Sequence, residues 1–218
     1  MALEDWKDFI GNSATVFTIL QFLMGIQVCL GFHRKQSTGE LSCMTFIVGV
    51  VMTFVWFSYG RLVSDDKIQL VNCIGFVLQT VYCFVFYKYT VNKVQTGKKI
   101  FLTLMLLVLV QTYIVNEEEL STAQFRIGLF GSSLSVCYCV APLATIQHVV
   151  KTRSTESLPF SLIVGSCIFT FLWTLYGSII EDSFVKIPNL LSFFVALFQL
   201  SLFCCYPSTS QYKFTSVI

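Results

Sequence analysis

Two octapeptides decide how this chain folds: Thr53-Phe54-Val55-Trp56-Phe57-Ser58-Tyr59-Gly60 and Thr170-Phe171-Leu172-Trp173-Thr174-Leu175-Tyr176-Gly177. Both read T-F-x-W-x-x-Y-G, and the second stands 117 residues after the first (Thr53 to Thr170). The same offset carries Ser37-Thr38 onto Ser154-Thr155, Asp65 onto Asp182 and Asn72 onto Asn189. Apolar composition alone does not align rare Trp, Tyr, Asp and Asn in one register. The chain is an internal duplication.

Each octapeptide closes an apolar run, and the composition says what such runs are for. Of 218 residues, 55% are hydrophobic and 12% charged, with a mean hydropathy of +0.74. Soluble domains carry about 25% charged residues. A nucleic-acid binder, a disordered tail and a soluble enzyme are excluded; this is an integral membrane protein. A spanning helix needs about 20 residues. Seven runs qualify, at about 9–31, 43–62, 68–87, 100–116, 126–149, 158–180 and 185–206. They are continuous and Leu/Phe-rich rather than alternating, which favours helices over a barrel.

The charges orient the spans. The N-terminal tail and the gaps after spans two, four and six hold five basic residues against ten acidic ones. The other side, including the C-terminal tail, holds nine basic residues against two acidic ones. The positive-inside rule makes the second side cytoplasmic and leaves the N-terminus outside, which requires an odd number of spans. The opening residues Met-Ala-Leu-Glu-Asp-Trp-Lys-Asp lack the basic leader of a secretory signal.

Duplication and topology together fix the architecture. Three spans carry the chain from outside to inside, so a second copy joined directly would be inverted. One extra helix returns the chain outward, and the second copy enters parallel to the first. The expected fold is an all-α membrane protein of seven transmembrane helices arranged 3+1+3. A first three-helix repeat occupies 1–92, a linker helix 93–122, a second repeat 123–207 and a cytoplasmic tail 208–218. Parallel repeats about an axis along the membrane normal are a transporter architecture.

At these residues the sequence resembles the SWEET sugar transporters. The W-x-x-Y-G ending of the second helix, the acidic residue and Asn at the head of the third, the Ser-Thr pair before span two and Ala141-Pro142-Leu143 in span five carry the resemblance. It covers nearly the whole chain, twice. It implies facilitated, uncoupled, bidirectional movement of a sugar by alternating access, without enzymatic chemistry or cofactor. It also implies a homo-oligomer, with a trimer as one form, in the plasma membrane or Golgi.

Independently of the resemblance, no Asp, Glu, Lys, Arg or His lies deep in any span. A charge at a helix centre costs about 2.5–3.5 kcal/mol on insertion scales and is kept only for function. Passive movement of a neutral polar solute remains. Asn72 and Asn189 lie four or five residues into apolar helices, where an unpartnered amide is costly. Each amide offers two donors and an acceptor, which suits sugar hydroxyls. A lone Asn would be read as interhelical glue; a register-matched pair favours binding, and the resemblance implies the same. Pro188, just before Asn189, loosens the local backbone.

Trp56 and Trp173 lie sixteen residues before their respective Asn, so a helix hairpin returns them to similar depth. An indole face is a platform for the C–H groups of a sugar ring, the other reading being an interfacial anchor. Thr53 and Thr170, one turn inward, are further hydroxyl partners. Two indoles leave a narrow site, which selects a monosaccharide such as glucose over a disaccharide. Tyr59 with Asp182, and Tyr176 with Asp65, are the expected extracellular gate, as the resemblance implies.

The intracellular hinge departs from the family pattern. The resemblance implies four prolines, one in each of the first two helices of both repeats. Pro142 and Pro159 match, whereas the first repeat has Gly25 and Thr45. Glycine loosens a helix less than proline does, and Thr only bends it by back-bonding. Asymmetric hinging, greater in the second repeat, is the expectation.

The nine Cys fall in or beside the spans without a C-x-x-C and read as small apolar thiols. His33 and His148 near span ends do not make a metal site. Ser216-Val217-Ile218 resembles a weak PDZ-type ligand. Rival readings are an organellar amino-acid carrier of the PQ-loop type, a seven-helix receptor and a membrane adaptor without transport. The chain lacks both the Pro-Gln dipeptide of the carrier and the Asp-Arg-Tyr and N-P-x-x-Y signatures of the receptor. The missing first-repeat prolines keep the adaptor open.

Overall fold

The structure, a computed structural model, describes residues 6–156 and 158–206, without the side chains of Val140 and Ala141. The tail with Ser216, Val217 and Ile218 lies outside the described residues. Eight helices are present among them: α1 (Lys7–Lys35), α2 (Met44–Leu62), α3 (Asp66–Tyr89), α4 (Lys93–Asn116), α5 (Leu120–Tyr138), α6 (Val140–Thr152), α7 (Phe160–Ile179) and α8 (Ser183–Cys205). They make seven stretches long and apolar enough to cross a membrane, because α5 and α6 form a single span, Leu120–Thr152.

That span is broken at Cys139, and the cause is Pro142. Proline has no N–H to give the carbonyl four residues back, and its ring crowds it. That carbonyl belongs to Tyr138, the last residue of α5. The chain restarts through Cys139, whose N–H goes to the Val136 carbonyl at 3.1 Å.

The duplication is written into the backbone as clearly as into the sequence. Among the described residues, four that are not glycine have left-handed φ: Gln36 (50°), Ser64 (55°), Arg153 (51°) and Glu181 (55°). They are two pairs separated by the repeat offset. Ser64 and Glu181 each form the left-handed step of a Schellman closure. The next N–H, of Asp65 or Asp182, returns to the carbonyl of Gly60 or Gly177 at 2.9 Å in both copies. The same aspartates then start the following helix. Asp65 Oδ1 accepts from the Ile68 N–H at 2.9 Å, and Asp182 Oδ1 from Phe184 and Val185 at 2.8 and 3.2 Å. One residue therefore ends one helix and caps the next. The Ser-Thr pairs repeat too: Ser37 Oγ accepts from the Gly39 N–H at 3.1 Å, and Ser154 Oγ from Glu156 at 3.3 Å.

Packing follows two compact units, one over 15–131 and the other over the described parts of 1–14 and 132–218. Both cuts fall at equivalent points, Ala14/Thr15 and Gly131/Ser132, so each unit is completed by the opening of the helix that begins the other repeat. In the unit 15–131, α2 lies along α3, and α4 touches both. The start of α5 is tied to α2 by the Gln124 amide, which donates to the Leu62 carbonyl at 2.7 Å. In the other unit, α7 lies along α8, and α6 also packs on α8.

The two cores use equivalent positions with different side chains. Phe32, Phe46, Tyr82 and Phe86 form a core of tilted and edge-to-face rings in the first repeat, with centroids 5.8–6.2 Å apart. The second repeat has Val149 for Phe32, Ile163 for Phe46 and Gln199 for Tyr82. Ring pairs add about 0.5–1.5 kcal/mol each beyond area burial. Among the described residues, the first repeat accordingly has more ring–ring contacts in this core than the second, which has the Phe160–Phe203 pair at 5.1 Å. Outward residues such as Phe101, Leu102, Val108 and Leu109 of α4 are exposed and apolar, as a lipid face requires.

Candidate functional site

Every fixed residue of T-F-x-W-x-x-Y-G has the same task in both copies. The Thr hydroxyl bonds back along its own helix: Thr53 Oγ1 donates to the Gly49 carbonyl and Thr170 Oγ1 to the Ser166 carbonyl, both at 2.7 Å. The Phe pairs with the neighbouring helix, Phe54 with Phe76 at 5.6 Å and Phe171 with Phe193 at 5.3 Å. The Trp meets the Tyr of the next turn edge-on, at 5.5 Å and 88° for Trp56–Tyr59 and at 5.6 Å and 87° for Trp173–Tyr176. The Gly is where the hairpin closes. A Cβ on Gly60 would stand 2.9 Å from the Gln69 nitrogen, and one on Gly177 would stand 2.8 Å from the Lys186 nitrogen.

Closing the hairpin at glycine sets the height of the next helix and thereby of its Asn. Asn72 Nδ2 donates to the Ile68 carbonyl at 2.9 Å, and Asn189 Nδ2 to the Val185 carbonyl at 2.8 Å. Each half-buried amide spends one N–H on its own helix. The other N–H and the Oδ1 have no protein partner among the described residues. That leaves one donor and one acceptor per amide, a pair that a sugar's vicinal hydroxyls can match. Gly75, one turn beyond Asn72, brings α3 against Thr53, whose Cγ2 lies 2.8 Å from where a Gly75 Cβ would be. Thr53, Trp56 and Asn72 thus belong to one tight α2–α3 hairpin.

The indoles differ in burial. Trp56 is half-buried with its six-membered ring against Gly131. Trp173 is buried. The Thr hydroxyl protons are committed to backbone, so Thr53 and Thr170 have only lone pairs left for a solute. Tyr59 and Tyr176 are buried, and Asp65 and Asp182 are helix caps. Any gating by these four is added to a structural task.

The expected hinge residues divide. Pro142 does interrupt its span. Pro159 does not bend one: it is the residue before α7 and serves as its N-cap. Its partner in the first repeat is also not Thr45. The Leu162 N–H goes to the Pro159 carbonyl and the Thr45 N–H to the Ser42 carbonyl, so Ser42 holds the equivalent place and Thr45 lies in the first turn of α2. The mismatch arises because apolar span edges, unlike the repeat offset, do not fix register. Gly25 does match Pro142, but its role is contact. A Cβ there would fall inside the van der Waals reach of the Tyr82 ring, and Tyr82 Oη donates to the Phe22 carbonyl at 2.9 Å.

A cluster around Asn189 was not legible by motif. Ser192 Oγ donates to the Pro188 carbonyl at 2.8 Å, Cys139 Sγ lies 3.1 Å from Ser192 Oγ, and Ser132 Oγ donates to the Phe184 carbonyl at 2.8 Å. In the first repeat the places of Cys139 and Ser192 are taken by Phe22 and Gly75, which pack apolar on apolar. The signal available in sequence was Pro188, whose helix position leaves the Phe184 carbonyl without its usual donor.

Seven apolar spans, a duplicated three-helix hairpin unit and paired amides within it define a membrane carrier. The family model described as "Sugar efflux transporter for intercellular exchange" matches residues 8–94 and again 125–211. This chain belongs to that family, the SWEET family. It is 37% identical over 205 residues to a protein of Drosophila pseudoobscura pseudoobscura named sugar transporter SWEET1, covering 93% of this chain and 91% of the relative. It is 29% identical to the mouse protein of the same name, with 94% of each covered. Its fold is similar to the solved structure of a eukaryotic SWEET transporter, with a TM-score of 0.84, 22% identity and coverage of 94% and 98%.

Proposed function

We propose that the chain carries a neutral sugar, a monosaccharide such as glucose, down its gradient by alternating access. Family membership supports sugar as the cargo. The observation that carries the site is the repeated amide: Asn72 and Asn189 each keep a donor and an acceptor uncommitted while anchored to the carbonyl four residues back. Trp56 and Trp173 supply apolar platforms for the ring, and Thr53 and Thr170 supply lone pairs. Tyr59, Asp182, Tyr176 and Asp65 form the extracellular gate. Pro142, with Pro159 and Gly25 in lesser parts, serves the intracellular one. Absence of an ionisable group deep in the spans supports uncoupled movement rather than proton coupling.

The charge distribution supports an N-terminus outside and a cytoplasmic C-terminus; the plasma membrane or Golgi is the membrane the family resemblance suggests. A homo-oligomer, with a trimer as one form, and a weak PDZ-type role for Ser216-Val217-Ile218 complete the reading.

The test is radiolabelled glucose uptake into proteoliposomes without an ion gradient, for wild type, Asn72→Ala and Asn189→Ala. Uptake that equilibrates in wild type and is lost in both folded variants is expected. No uptake by folded wild type across several hexoses and pH values overturns the proposal.

A further inference from the structure

We propose that Ser132 is a positioning residue for Asn189, its hydroxyl standing in for the backbone N–H that Pro188 lacks. The inference rests on the sugar-binding reading of Asn189 and adds how that side chain is held in place.

Pro188 lies inside α8 and is fully buried. In an unbroken helix the residue at this position would donate to the carbonyl of Phe184, four residues back; proline cannot. In a membrane span an unsatisfied carbonyl is costly, because lipid offers no donor. Ser132 of α5 donates its hydroxyl to that same carbonyl at 2.8 Å. The carbonyl orphaned by chemistry and the carbonyl capped by the neighbouring helix are one atom.

The consequence falls on Asn189. Its amide is tied to the Val185 carbonyl, the next one along the helix. Asp182 fixes the Phe184 and Val185 N–H groups from below. Ser132 ties the Phe184 carbonyl to a second helix at the point where proline supplies no N–H. Without that hydroxyl, the Phe184–Val185 peptide can tilt outward, carrying the Val185 carbonyl and the Asn189 amide with it.

The first repeat provides an internal comparison. Val71 occupies the place of Pro188 and keeps its N–H, so the α3 ladder needs no outside donor. The turn that carries Asn189 is thus tied to a second helix. Thr15 stands where Ser132 stands, so the position accommodates either hydroxylated residue.

The experiment is a double-mutant cycle read as KM and maximal rate for glucose uptake in proteoliposomes, using Ser132→Ala, Ser132→Thr, Pro188→Val and Ser132→Ala with Pro188→Val. Ser132→Ala is expected to raise KM about three- to tenfold, the scale of one lost hydrogen bond at a binding group. Ser132→Thr should stay within about twofold of wild type, since it keeps the hydroxyl donor. In the Pro188→Val background, Ser132→Ala should change KM by less than about twofold, because the introduced valine brings its own N–H to the Phe184 carbonyl. An equal Ser132→Ala effect in both backgrounds, or none with Pro188 present, overturns the proposal. Should Ser132→Ala fail to fold, recovery of folding by Pro188→Val supports it and persistent misfolding overturns it. Uptake surviving in Asn189→Ala would instead refute the sugar-site reading, whereas loss in Asn189→Ala with a wild-type Ser132→Ala would refute only this inference.

Discussion

The backbone nitrogen of Lys186 lies 2.8 Å from where a Cβ on Gly177 would stand, and Gln69 stands to Gly60 in the same way at 2.9 Å. Glycine at the end of α2 and α7 is therefore required by close approach, and backbone atoms cannot swing aside. Gly177→Ala and Gly60→Ala should each cost about 1–3 kcal/mol through forced separation of the hairpin. Thermal melts in detergent should show a clear drop for both, with Gly31→Ala as control, since nothing lies within 4 Å of a Cβ there.

Ser64 and Glu181 make the opposite case. They hold left-handed φ without being glycine, at a strain of about 1–2 kcal/mol per residue. Glycine returns part of this as unfolded-state freedom. Ser64→Gly and Glu181→Gly should each gain about 0.5–1 kcal/mol, and the double variant should sum the two, because the sites lie in separate hairpins. A melting temperature unchanged in both would refute this.

Placing at Gly25 the proline that its repeat counterpart Pro142 has should harm the protein. The Tyr82 ring fills the space beside Gly25, whereas Pro142 has Gln199 at the equivalent position. Gly25→Pro should lower stability and uptake, and adding Tyr82→Gln should recover part of both. Equal damage in the single and double variants would separate the two residues.

If the proposed site is right, Trp173 should govern cargo size. Trp173→Ala should let disaccharides compete with glucose uptake, while retaining glucose transport at reduced rate. Unchanged selectivity in a folded variant would remove Trp173 from the site.

Acid should loosen the turn between α4 and α5. Ser121 and Thr122 donate to the Glu119 carboxylate at 2.7 Å, which holds its pKa below the usual carboxylate value, with Arg126 assisting. A depressed folded-state pKa contributes stability at neutral pH that is lost as pH falls through that lowered value. Glu119→Gln should melt slightly below wild type at neutral pH, and the gap should close on acidification. A gap independent of pH would assign the effect to something other than ionisation.

How much of this was legible in the sequence depended on what each residue answers to. Trp56, Tyr59, Asp65 and Asn72 were legible because the chain states them twice, and the repeated spacing is a geometric constraint. Pro142 was legible because its missing N–H acts on its own helix. The Pro159–Ser42 correspondence is hidden from span edges, since hydrophobicity changes gradually there. The Asp182 cap is hidden because charge in a loop suggests a gate before it suggests a turn. Ser132 was invisible because its partner lies 52 residues away, and no local pattern encodes a hydroxyl aimed at another helix.

The Schellman corner that joins α2 to α3 also works as an indexing mark. An α-helix advances about 100° per residue, so the number of residues between Gly60 and Asn72 sets the compass direction of the amide. With Asp65 tied at once to Gly60 and to Ile68, that count cannot slip. One residue inserted at the corner would leave every span intact and every side chain present, yet swing Asn72 a quarter-turn or more from its bearing. The length of this corner, rather than its composition, is then what the duplication had to copy without error.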